Sequence, residues 1–233
     1  MRVTTNPKLI RRRSRLGMMA SFGGIAVLAV GMFASFRQQY MWVSLAALVV
    51  GFLLAQFGSY NLRRYGRSPR PDQVLEAGMK GFDDRYRLYA WTLPVPFALL
   101  SPQGIYTFTT RDQIGQVSVT GSTWRTKFSL GRVLTIFGQE GLGNPTVDAQ
   151  AQASKLSEWI KGKLPDMAAE VRPIIVFIDP RAKLQVDEPT VPVLDTEGIK
   201  KWLRGGGKGQ YLKNADYKAL EELFDAQAAA AQR

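Results

Sequence analysis

Two runs without a charged residue dominate the N-terminal third of this 233-residue chain: Leu16–Phe36 and Gln38–Leu62. A helix rises about 1.5 Å per residue, so about 20 residues cross a hydrocarbon core of roughly 30 Å. Both runs are long enough to span, as helices over about 16–36 and 40–60. Gly23, Gly24 and Gly31 would weaken the first helix in water. In lipid an unmet backbone hydrogen bond is so costly that the helix is enforced. Tyr40, Trp42 and Tyr60 stand near the ends of the second run, where amphipathic rings favour the interface. The rival reading of the first run is a signal peptide, but its apolar stretch exceeds the usual length of about 7–15 residues and a second span follows at once. Ala47, Gly51, Ala55 and Ser59 recur every fourth residue, and Ala20 and Gly24 offer a matching small face for close helix packing.

The charge pattern gives the hairpin an orientation. The chain has 31 Lys and Arg, 19 Asp and Glu, and neither His nor Cys. Residues 1–70 contain 11 of the basic residues and no acidic one, which leaves residues 71–233 nearly neutral. A basic, apolar front end joined to a neutral domain does not require nucleic-acid binding. Arg11, Arg12, Arg13 and Arg15 precede the spans, Arg63, Arg64 and Arg67 follow them, and only Arg37 lies between. This bias predicts a cell-membrane protein with both termini cytoplasmic, its basic flanks against anionic headgroups. The absence of Cys removes disulfides, thiolate metal sites and cysteine nucleophiles. The absence of His removes Ser-His-Asp chemistry and the commonest transition-metal ligand.

The expected organisation is a basic tail over 1–15, a transmembrane hairpin over 16–62, a basic linker over 63–70, an α/β domain over 71–180 and a helical extension over 181–233. Pro71–Gly81 reads as a helix and Arg85–Leu93 as a strand. Phe97–Leu100 and Ile105–Thr110 form a hairpin about Ser101-Pro102-Gln103-Gly104. Ile114–Thr120 and Thr123–Phe128 form another about Gly121-Ser122. Thr146–Lys161 is a helix, with Val147, Ala151, Leu156, Trp159 and Ile160 available to the core. Pro173–Ile178 reads as a strand buried on both faces. Thr196–Arg204 and Asn214–Ala230 are further helices, the last fraying from Ala228 to Ala231. The class is α/β with a mixed sheet.

Isolated chemical motifs are few. Gly205-Gly206-Gly207-Lys208-Gly209 follows a helix rather than a strand and lacks the end of a phosphate loop, so it reads as a linker. Asp83-Asp84 is followed by Arg85 and reads as a local ion pair. Asp179-Pro180-Arg181 reads as a turn.

One resemblance joins several segments. The strand Phe97-Ala98-Leu99-Leu100 with Ser101-Pro102-Gln103-Gly104, then Ile105-Tyr106-Thr107-Phe108, Gly115-Gln116-Val117, Gly143-Asn144-Pro145 leading a helix, and Pro173-Ile174-Ile175-Val176-Phe177 follow one another. In that order they resemble the nuclease-related domain (NERD) family, and the resemblance covers roughly Leu75 to Ile178. It implies a restriction-endonuclease-like fold preceded by the two-helix hairpin. It also implies chemistry in which an Asp on one strand and a Glu on the next hold a divalent cation, with a Lys two residues beyond the Glu. Here Pro96 stands at the Asp position, Thr109 at the Glu position and Arg111 at the Lys position. Asp148 replaces the Gln that follows Asn-Pro by three residues. The motif is therefore degenerate, and neither a metal nor another cofactor is expected.

The expected function is a noncatalytic binding or structural module held at the bilayer, with a protein partner. One alternative is a divergent nuclease recruiting Asp83, Asp84, Asp112 or Glu140. The neutral charge of residues 71–233 weighs against that nuclease, although Arg111, Arg125, Lys127 and Arg132 offer a local basic face for a nucleic acid or another anion. Another is a nucleic-acid tether without cleavage, using Arg111 and the basic flanks.

Overall fold

The computed structural model describes residues 1–126, 141–167, 170–205 and 211–232. The chain divides into two compact units, residues 7–70 and residues 1–6 with 71–233.

The first unit is a helical hairpin. Helix α1 (Pro7–Ser35) and helix α2 (Met41–Asn61) are joined through a 3₁₀ turn at Gln38–Tyr40, and a π-helical turn, Leu62–Gly66, follows α2. Both helices are long and apolar enough to cross a membrane. A Cβ on Gly17 would lie 2.9 Å from the Asn61 Cβ, and one on Gly31 would lie 2.7 Å from the Ala47 Cβ, so the helices run antiparallel. The buried glycines are Gly17, Gly24 and Gly31 on α1, with Gly51 and Gly58 on α2. Each series repeats every seven residues, the spacing of a left-handed helix pair. Of the expected face at Ala47, Gly51, Ala55 and Ser59, Gly51 is buried and the other three are half-buried, and Gly58 is buried beside Ser59. The large side chains turn outward; Phe22, Phe33 and Trp42 are 68%, 69% and 76% exposed.

The second unit begins before the hairpin. Residues Arg2–Thr5 are strand β1, which pairs in parallel with β2 (Arg87–Ala90). Within the expected basic tail over 1–15, residues Arg2–Thr5 are a sheet strand, and from Pro7 the chain forms the first turns of α1. After α3 (Pro71–Gly78) and β2 come β3 (Phe97–Ser101) and β4 (Gly104–Arg111), each antiparallel to the strand before it. Gly104, at φ 131°, takes a backbone conformation that side chains oppose. The Ser101 hydroxyl accepts from Gln103 N at 3.2 Å to close the turn. A second hairpin, β5 (Gly115–Thr120) and β6 (Thr123–Thr126), turns on Gly121 at φ 58°.

Helix α4 (Pro145–Lys163) carries the chain to β7 (Val171–Phe177), which lies parallel to β4. The start of α4 is fixed by Asn144, whose Oδ1 accepts from Thr146 N at 3.1 Å and Val147 N at 3.3 Å, with Pro145 in the first turn. Its buried face is Ala149, Ala153, Leu156 and Ile160. The expected core positions Val147 and Ala151 are exposed, because the small residues at 149 and 153 are the ones that let the helix lie close to the sheet.

The region expected to be a helical extension also contributes strands. β8 (Ala182–Asp187) pairs in parallel with β5, and β9 (Val193–Asp195) in parallel with β7. The result is a mixed six-stranded sheet, β1-β2-β3-β4-β7-β9, and a three-stranded sheet, β6-β5-β8. Helices α5 (Gly198–Gly205) and α6 (Asn214–Gln232) complete the unit. Tyr89, Ala98, Leu100 and Ile105 on one sheet face pack with Leu156 and Ile160 of α4 and Leu220, Phe224 and Ala228 of α6. The alternating residue Tyr106 meets Trp202 of α5 edge-on, at 5.8 Å between ring centroids. Helices thus cover both faces of the large sheet. The end of α6, expected to fray, is docked: Asn6 Nδ2 donates to Ala231 O at 2.8 Å and Gln232 Nε2 to Thr5 O at 2.7 Å.

Candidate functional site

The residues that the resemblance assigns to metal chemistry fall in one neighbourhood. The β3–β4 register ends with Ala98 paired to Thr107, and Pro96 stands just ahead of β3 while Thr109 lies two residues further along β4. Trp91 N donates to Pro96 O at 2.8 Å, and Thr109 pairs with Ile175 of β7. Two residues along β4, on the same face as Thr109, Arg111 forms an ion pair with Asp148 in the first turn of α4. A parallel β4–α4–β7 crossover brings this about, since the helix must start where β4 ends.

The chemistry of this neighbourhood is unlike a two-carboxylate metal site. Thr109 is buried and offers a neutral hydroxyl. Pro96 has no hydrogen-bonding side chain. The Arg111 side chain is 15% exposed, and the carboxylate of Asp148 answers its charge. A guanidinium–carboxylate pair thus stands at the position to which the resemblance assigns a lysine. Among the described residues, no group of three or more acidic side chains is placed to hold a metal ion.

Sequence reasoning missed several residues here. Trp91 adopts φ 56°, a left-handed conformation that costs a bulky side chain about 1–3 kcal/mol. The hydrogen bond to Pro96 and a ring contact with Phe97 at 5.0 Å between centroids hold it there. The hydroxyls of Thr92, Thr107 and Thr109, the Gln152 Oε1 and the Arg111 Nε are shut off from solvent without a protein partner among the described residues. Of these, Thr109 and Arg111 carry the sequence signal of the resemblance, while Trp91, Thr92, Thr107 and Gln152, one turn beyond Asp148 on α4, carry none. Trp124 Nε1 donates to the Thr146 hydroxyl at 2.8 Å, tying the β5–β6 hairpin to the start of α4.

The other candidates scatter. Arg125 is exposed on β6, and Lys127, Arg132 and Glu140 lie outside the described residues, as does most of the Gly205–Gly209 segment. Asp83 accepts from Arg85 at 2.8 Å, which holds its carboxyl below the ordinary range. Asp84 adjoins it ahead of β2. Asp112 follows the end of β4, and β2 and β4 run in the same direction, so these acids sit at opposite ends of the sheet. Asp179 accepts from Arg181 N at 3.0 Å and from its side chain, a closed turn. A separate network joins β2 to α6. Arg87 pairs with Glu221 and, at 2.8 Å, with Asp225, and the Tyr89 hydroxyl donates to Asp225 at 2.7 Å. Burial, then the Asp225 carboxylate, pushes the Tyr89 hydroxyl well above its ordinary value.

Comparison with protein-family models, with curated proteins and with solved structures finds no match for this chain.

Proposed function

We propose that this chain is a membrane-anchored domain on a nuclease-related, restriction-endonuclease-like scaffold that has exchanged its metal ligands for an internal ion pair. It serves as a noncatalytic binding or structural module for a protein partner. The observation that carries the reading is the Arg111–Asp148 ion pair, which sets the start of α4 against the end of β4 two residues beyond Thr109. The order helix, three antiparallel strands, a second hairpin, helix and parallel strand supports the scaffold. Mg²⁺ needs anionic oxygens to offset its dehydration, and a threonine, a proline and a neutralised carboxylate offer it little.

The anchor is the hairpin, with both ends on the cytoplasmic side. Its support is the basic bias of the flanks, the outward apolar side chains and the division of the chain. Residues 1–6 and 71–233 build one folded unit, so the hairpin leaves and returns on the same side of the bilayer.

The test is a cleavage assay of the full chain in detergent, with Mg²⁺ or Mn²⁺ and single- and double-stranded DNA. No cleavage is expected. Metal-dependent cleavage that disappears in Asp112→Ala would end the noncatalytic reading.

A further inference from the structure

Residues 7–70 hold ten Lys or Arg and no carboxylate side chain, so any counter-charge must come from outside that unit. The first turns of α1 and the turn after α2 meet at one end of it. A Cβ on Gly66 would lie 3.1 Å from the Ser14 hydroxyl, and one on Gly17 would lie 3.1 Å from Leu62 N. The Arg13 and Arg64 charges both act on Tyr65, which gathers cations from both segments around one spot. The Leu62–Gly66 turn is π-helical, and Arg67 N donates to Leu62 O at 2.7 Å. Such turns widen a helix and recur at functional sites. Arg64 is engaged, with its guanidinium 5.5 Å from the Tyr60 ring centroid and hydrogen-bonded to the Tyr60 hydroxyl. Arg63 differs. Its Nε and Nη1 are shielded from solvent and have no acceptor among the described residues. A guanidinium left this way is costly unless an anion reaches it.

We propose that the base of the hairpin is a binding site for the phosphate of an anionic phospholipid, centred on Arg63 and flanked by Arg13 and Ser14. Phosphate oxygens are the natural acceptors for arginine donors. A lipid is the favoured source because the apolar shafts begin here: Met18 and Phe22 of α1 and Phe57 of α2 are exposed one to two turns away, where acyl chains would lie. The inference rests on the membrane reading given above and adds a specific residue and ligand class to it.

The test uses the full chain in three forms: wild type, Arg63→Gln and, as a control at the opposite end of the hairpin, Arg37→Gln. Each is floated with vesicles of phosphatidylcholine alone or with added phosphatidylglycerol. Each is also melted in detergent with either lipid or with inorganic phosphate. Wild type and Arg37→Gln should prefer phosphatidylglycerol and be stabilised by it. Arg63→Gln should still float but bind that lipid roughly fivefold to tenfold more weakly. Equal phosphatidylglycerol preference in all three forms would overturn the site while leaving the membrane reading intact. A stabilisation by inorganic phosphate that matches the lipid's would overturn the lipid as its source. Failure of every form to float with either vesicle would overturn the membrane reading itself.

Discussion

The two adjacent glycines of α1 separate helix packing from helix propensity. A Cβ on Gly23 would meet nothing within 4 Å. On Gly24 it would lie 2.9 Å from Ala55 N, 3.0 Å from Gly51 O and 3.2 Å from the Leu54 Cβ. Carbon atoms pack best at about 3.5–4.0 Å, and two of these three neighbours are backbone that no rotamer change can move. Gly24→Ala must therefore push α2 away by several tenths of an ångström, loosening the approaches at Gly17 and Gly31 as well. Overpacking of this kind costs about 1–3 kcal/mol. Both substitutions gain the same helix propensity, up to about 1 kcal/mol, so their difference isolates the contact. The assay is unfolding of the full chain in mixed micelles as the fraction of denaturing detergent rises. Gly23→Ala should be neutral or slightly stabilising, and Gly24→Ala less stable than it by about 1–3 kcal/mol. Equal stabilities within about 0.5 kcal/mol would refute the packing of α1 on α2 through this face.

Other substitutions probe the second unit. Asn144→Ala removes the cap of α4 and should cost about 0.5–2 kcal/mol in chemical denaturation; no change would deny that the cap fixes the helix start. Asn6→Ala strips the donor from Ala231 O and should cost about 1–2 kcal/mol and raise the rate of proteolysis at the end of α6. A double-mutant cycle of Arg111→Gln and Asp148→Asn should give a coupling of roughly 1 kcal/mol, modest because Asp148 is half exposed. Burial pushes the Tyr106 hydroxyl up to about 12. A raised folded-state value contributes stability that is complete below the unfolded value of about 10 and lost as pH climbs through 10 towards 12. Urea unfolding between pH 9 and 11.5 should show that loss, on the order of 2 kcal/mol at its limit, and Tyr106→Phe should reduce it.

The parts of the fold written in the sequence are those built from local chemistry. The β3–β4 and β5–β6 hairpins follow from turns that need Gly104 and Gly121, and β7 from an unbroken apolar run. β1 was hidden because Arg2–Thr5 has no pattern of its own and becomes a strand only through a partner some 85 residues away. β8 does alternate, with Ala182, Leu184 and Val186 between Lys183, Gln185 and Asp187, but it is short and mostly exposed, and it takes its place by parallel pairing with β5, which lies well before it in the chain. The buried stripe of α4 was misread because alanines at 149 and 153 carry little hydropathic weight, yet they set how closely the helix approaches the sheet. At the candidate site, the spacing of Thr109 and Arg111 was visible. The left-handed Trp91 and the hydroxyls of Thr92 and Thr107, which have no partner among the described residues, were not, because backbone strain and burial arise only when the strands assemble.

The proposal is that the end of the β3–β4 pair keeps the frame of a cation site without its ligands, so restoring the ligands should restore the ion. The most direct measurement is Mn²⁺ paramagnetic resonance on the full chain in detergent, comparing the wild type with Pro96→Asp/Thr109→Glu/Arg111→Lys and using thermal melting to verify that both are folded. The account predicts an aqueous Mn²⁺ spectrum with the wild type and one bound ion per chain in the triple variant. A tightly bound ion in the wild type, or a folded triple variant that leaves Mn²⁺ in water, would contradict it.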